Sequence, residues 1–202
     1  MRRYTPSGTR QLHIVCFVIL IVVVSASCST ISAARSTPTV VPTSTPEKLE
    51  LINGELDACQ LINLAEVESL VGMKVIPKRA FAESAWWCTY YPISDDRGAL
   101  FGIDVITDAT IKRANQPWHN DSASDVYDGR KMVSQRMAQE ISDYKMEEIE
   151  DLGDQAFSSE LSFLNIHILK NGIFYEFSTL TSTGISKEIL MKLVNTALSR
   201  MP

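Results

Sequence analysis

The sequence predicts an α+β fold: a single domain with a mainly antiparallel sheet and helices packed on one face. Three observations predict it. Two runs of alternating apolar residues, Phe163 to Leu169 and Ile173 to Leu180, are joined by Asn171-Gly172, the preferred dipeptide of a two-residue hairpin turn. Two further strand-like runs, Trp86 to Tyr91 and Leu100 to Thr107, flank the turn Ser94-Asp95-Asp96-Arg97-Gly98. A helical apolar stripe (Ile189, Leu190, Leu193, Val194, Ala197, Leu198) closes the chain. Strand neighbours joined by short turns pair antiparallel, and the helices between them must bury their apolar faces on the sheet.

The chain opens on a different pattern. Arg2, Arg3 and Arg10 precede an apolar run from Ile14 to Val24, and Ser25-Ala26-Ser27-Cys28 follows. A basic start, an apolar core of about 7–15 residues and a small-residue cleavage site make a secretory signal. The run is shorter than the roughly 20 residues a membrane-spanning helix needs. Residues 1–27 are therefore expected to be a signal peptide. Cys28 is the expected site of bacterial-type lipidation, which would hold the protein on the extracytoplasmic face of the cell membrane. Ser25 stands where that signature usually has Leu, Val or Ile, so cleavage after Ser27 by an ordinary signal peptidase, giving a secreted protein, is the alternative. Residues 28–48 continue as a Ser/Thr/Pro-rich tether, which has too little apolar surface to fold. The domain occupies residues 49–202.

None of the 24 acidic residues precedes Glu47, whereas four of the 19 basic residues do. From Glu47 onward the chain thus sets 15 basic against 24 acidic groups, a formal net charge of −9. That balance argues against nucleic acid as a partner, because such binding needs a basic footprint. Cys16 leaves with the signal, so Cys59 and Cys88 are the domain's cysteines. In an exported domain two cysteines most simply form one disulfide; two buried thiols are the alternative. His119 and His167 are the domain's histidines, too few to complete a metal site, and no cofactor motif is present.

Along the domain, Asn63-Leu-Ala-Glu66 reads as a capping box opening a helix through Leu64, Val67, Leu70 and Val71, with Gly72 ending it. Val75 to Ala80 reads as a short strand. Asp108 to Asn115 has room for one or two helical turns, and Pro117 to Ser124 is turn-rich. Val126 to Ile141 has a loose helical pattern interrupted by Gly129, Tyr144 to Ile149 reads as a strand, and Asp151 to Asp154 as a loop. Ser186 caps the last helix, which runs to about Arg200.

The motifs Asp57-Ala-Cys59-Gln-Leu-Ile62, Ala65-Glu66-Val67, Gly72, Cys88-Thr-Tyr90 and Asp151-Leu-Gly153-Asp154-Gln-Ala156 together resemble a group of small exported bacterial domains. These are uncharacterised lipoproteins best known from actinobacteria. The resemblance spans nearly the whole domain. It implies a lipid-anchored envelope protein with a structural disulfide between Cys59 and Cys88, and it carries no activity.

Candidate sites follow from residue chemistry. Trp87 and Tyr91 share one face of their strand and could bind a glycan, peptide or small molecule; packing under a helix is the plainer role. Asp151 and Asp154 could serve as a carboxylate pair in a hydrolase, although a tight turn explains them as well. His119 reads as a loop residue, and His167 as a strand residue paired across the sheet. No catalytic motif is present. The expectation is a non-enzymatic binding or interaction module of the cell envelope, with a hydrolase or an accessory subunit of a membrane complex as alternatives.

Overall fold

The computed structural model describes residues 48–82, 85–93, 98–114 and 122–202, all within the unit Thr43–Pro202. The signal segment, Cys28, the tether up to residue 47, the turn residues Ser94–Arg97 and His119 lie outside the described residues.

After a 3-10 turn at Ala58–Gln60 come α1 (Leu64–Val71), β1 (Val75–Ala82), β2 (Ala85–Pro92) and β3 (Phe101–Ile106). Next are α2 (Asp108–Ala114), α3 (Ala123–Glu140), β4 (Lys145–Glu148) and β5 (Gln155–Glu160). The chain finishes with β6 (Phe163–Lys170), β7 (Ile173–Leu180) and α4 (Lys187–Leu198). The seven strands form one sheet, antiparallel at every pairing, in the order β1-β2-β3-β7-β6-β5-β4. Two meanders each run from an edge to the centre, where their last strands β3 and β7 pair.

The α+β class and the antiparallel sheet are as the sequence predicts; the placement of the helices is not. Successive residues of a strand point to opposite faces. On β7, Tyr175 and Phe177 pack with Val67 of α1 and with Leu190, Leu193, Val194 and Ala197 of α4. Phe174, on the other face, packs with Ile111 of α2 and with Ala123 and Tyr127 of α3. The helices therefore divide between two faces instead of sharing one. The physical reason is that the second face also carries apolar residues at one end of the central strands: the paired Ile106 of β3 and Phe174 of β7 would be left in water unless a second layer covered them.

Local chemistry sets the elements. The Asn63 side chain accepts the Glu66 N–H at 2.9 Å, and Glu66 accepts the Asn63 N–H at 3.0 Å, completing the capping box. Gly72 ends α1 with a φ of 73°. Arg200 donates to both Glu66 carboxylate oxygens at 2.8 Å and to the Leu61 carbonyl at 3.2 Å, which joins the C-terminus to the start of α1. Cys59 and Cys88 are bonded, fastening the 3-10 turn to β2.

Asp151 to Asp154 is a structural turn. Gly153 has a φ of 74°, and a Cβ there would lie 2.7 Å from both Ile168 Cγ2 and the Leu169 carbonyl oxygen. Asp154 accepts the Asn171 N–H at 2.7 Å and so supports the β6–β7 turn.

Candidate functional site

The β6–β7 turn fixes the register of three strands, and that register assembles the site. Asn171 and Gly172 both have positive φ, as a two-residue hairpin turn requires. Lys170 then pairs with Ile173, and three residues farther back His167 stands opposite Glu176. On the other side of β6, Phe157 of β5 stands opposite His167, and Ser159 stands opposite Asn165. The side chains of Ser159, Asn165, His167 and Glu176 lie at the base of a groove whose roof is α3.

The His167 ring is held in a ladder of stacked rings. Phe157 lies 4.3 Å away at an interplanar angle of 19°, and Phe174 lies 6.0 Å away at 13°. Its two nitrogens face different partners. Nε2 is 3.1 Å from Ser159 Oγ. Nδ1 is 3.3 Å from Glu176 Oε2, with the oxygen off the N–H axis, so the contact is a bent, mainly electrostatic one. Arg130 of α3 brings its Nε to 3.7 Å from the same oxygen. Asn165 Nδ2 donates to Ser159 Oγ at 3.4 Å. Ser159 and His167 are 3% and 4% exposed.

Burial works to raise the Glu176 carboxyl, but its contact with His167 and the charge of Arg130 outweigh that and hold it below the ordinary carboxylate value. The carboxylate therefore stays ionised at neutral pH. An ionised carboxylate can only accept, which favours the tautomer with the proton on His167 Nδ1 and leaves Nε2 to accept from Ser159.

The groove above these groups has a volume of ≈ 390 Å³ and is lined by apolar Val133, Met137, Leu161 and Phe163. Val133 and Phe163 are each 52% exposed and Leu161 is 42% exposed, so the apolar rim opens to solvent. The Tyr144 hydroxyl donates to Ser134 Oγ at 2.9 Å, which ties the start of β4 to α3 at one end of the groove.

A second cavity, at the β1–β2 end of the sheet and lined by Glu55, Asp57, Arg79, Trp86 and Arg113, is closed chemically. Glu55 Oε2 accepts from Trp86 Nε1 at 2.7 Å and from Arg113 Nη1 at 2.9 Å, and Asp57 pairs with Arg79. Its charges already satisfy one another.

The residues singled out in the sequence fall as follows. Trp87 packs beside the second-face core and lines a cavity of ≈ 270 Å³ that shares Phe163 with the groove. Tyr91 lies under the Lys78 ammonium, 4.4 Å from its ring centroid. Asp151 and Asp154 are both exposed, and Asp154 is engaged by the Asn171 N–H. His167 has the cross-strand neighbour expected of it. Sequence reasoning missed Ser159, Glu176 and Arg130. Counting outward from Asn171-Gly172 would have placed Glu176 opposite His167. Ser159 had no such signal, because β5 was not recognised as a strand.

Comparison with known proteins finds no matching family model, no similar curated protein and no similar solved structure. Among the described residues, no helix is long and apolar enough to cross a membrane, and no group of three His, Cys, Asp or Glu side chains is placed to hold a metal ion.

Proposed function

We propose that this chain is an exported, lipid-anchored protein of the cell envelope whose domain binds a small amphipathic molecule in the groove between α3 and strands β5–β7. The observation that carries the binding role is the pairing of an open apolar rim (Val133, Leu161, Phe163) with a polar base, buried Ser159 and His167 beside half-buried Asn165 and Glu176, in one cavity of ≈ 390 Å³. Ligand sites are typically clefts of roughly 300–1,000 Å³, mostly apolar, with a few convergent polar groups that fix orientation. The export and anchoring role is supported by the sequence: the basic and apolar leader, Cys28 behind three small residues, and the tether that follows. Resemblance to the exported lipoprotein group points the same way. A tethered domain with an amphipathic groove suits capture of a molecule at the membrane surface.

Binding is tested by titrating the full-length chain with N-phenyl-1-naphthylamine, a neutral amphipathic fluorophore. Saturable binding that weakens at least about tenfold in Val133→Glu, a rim change that places a charge where the apolar body would sit, is expected. Equal affinity in the two proteins would remove the groove as the site. Anchoring is tested by the mass of the protein recovered from the membrane fraction of a bacterial host: cleavage before Cys28 and an added diacylglyceryl group are expected, and recovery with Met1 attached would refute it.

A further inference from the structure

We propose that the groove also carries chemistry: Ser159, His167 and Glu176 act as nucleophile, general base and orienting carboxylate in the hydrolysis of small carboxylic esters with an apolar acyl group. This rests on the reading that the groove takes a ligand, and it adds a reaction to it. The three groups come from three adjacent strands of one sheet face, and hairpin register brings them together. Their order of contact is the one nucleophilic catalysis requires: hydroxyl to imidazole at 3.1 Å, then imidazole to carboxylate at 3.3 Å through the other ring nitrogen.

The hydrogen-bond donors settle the directions. Asn165 Nδ2 donates to Ser159 Oγ, so the serine hydroxyl proton is free to point at His167 Nε2. The ionised Glu176 keeps the other imidazole proton on Nδ1. The stacked rings of Phe157 and Phe174 fix the orientation of the imidazole. Ser159 and His167 are nearly buried, yet both line the open cavity whose apolar walls suit an acyl chain.

In the reaction, Ser159 Oγ attacks the ester carbonyl carbon while His167 Nε2 takes the hydroxyl proton. The carbonyl oxygen becomes an oxyanion. The bond to the alcohol oxygen then breaks, and the imidazolium returns the proton to the departing alkoxide. Water gives a proton to the same nitrogen and attacks the acyl-serine; the bond from the acyl carbon to Ser159 Oγ breaks, the imidazolium returns the proton to that oxygen, and the carboxylic acid leaves. Glu176 stabilises the imidazolium and remains ionised throughout. The backbone N–H groups of β5 face its neighbouring strands in the ladder, so the oxyanion donor offered by the described residues is the Asn165 amide, already 3.4 Å from the attacking oxygen.

The test uses the full-length chain, p-nitrophenyl butyrate as substrate and a fluorophosphonate as covalent probe. Expected are one phosphonyl adduct, mapped to Ser159, and ester hydrolysis above the buffer rate. Ser159→Ala should fall to the buffer rate, His167→Gln should lose about 100-fold or more, and Asn165→Ala about 100-fold. Cooperative melting of Ser159→Ala at the wild-type temperature shows that the fold survives the change. A folded wild-type chain that is neither labelled at Ser159 nor active on the ester overturns the catalytic proposal, as does full activity in Ser159→Ala. If the fluorophore still binds in that case, the binding reading stands alone; if it does not, both fall.

Discussion

Reducing the Cys59–Cys88 bond should cost this domain a large share of its stability. The two cysteines are 29 residues apart, and the loop they close contains α1 and β1. In the chain-entropy model, opening a loop of that length releases about 3.6 kcal/mol of denatured-state entropy at 25 °C. Small domains are stable by only about 5–15 kcal/mol, so this one bond accounts for a substantial part. For a domain of this size each kcal/mol moves the midpoint by roughly 2–4 °C, which places the expected fall at about 7–14 °C. The assay is thermal unfolding followed by circular dichroism, with and without a phosphine reductant. The double variant Cys59→Ala/Cys88→Ala serves as the control and should melt identically in both buffers. A fall below about 2 °C on reduction, with free thiols verified, would refute the reasoning, because the 3-10 turn would then be held by packing on β2 and by the Arg79–Asp57 ion pair to β1.

Three other substitutions have expected outcomes. Gly153→Ala should destabilise by about 3 kcal/mol in denaturant titration, since its φ is positive and the added Cβ meets backbone at 2.7 Å. Tyr175→Phe should leave stability unchanged or raise it, because the buried hydroxyl, whose phenol burial pushes well above its ordinary value, has no hydrogen-bond partner among the described residues. Arg200→Ala should cost about 1 kcal/mol at neutral pH, discounted for the partial exposure of the pair. Arg200 is the main cause that holds Glu66 below its usual 4.5, so this contribution is present above that value and is lost as pH falls through the lower folded-state value. The wild-type advantage over Arg200→Ala should therefore shrink in acid melts; a gap that stays constant down to pH 2 would show that the carboxylate is not its source.

Much of the fold could be read from local chemistry. The capping box at Asn63 and Glu66, the Gly72 stop and the Asn171-Gly172 turn act within a few residues, and each lies where the sequence indicates. The helix after Ser122 was harder to read: its span, Ala123–Glu140, is polar on most sides and carries Gly129, because it only partly covers the sheet. Strand β5 escaped because Ser158 and Ser159 are both buried, which breaks the alternation that marks a strand. The division of helices between two faces depends on which strands become central, and β3 and β7 are distant in sequence. The groove is hidden for the same reason: its polar base comes from three strands and its roof from α3, and only tertiary pairing joins them.

The most direct test of the account is a map of the bound amphipath. In amide chemical-shift titration of the full-length chain with N-phenyl-1-naphthylamine, the shifts should concentrate at Val133, Met137, Leu161, Phe163 and His167. Shifts centred on Trp87 and Tyr91 with the α3 groove silent, or none at all, would contradict it.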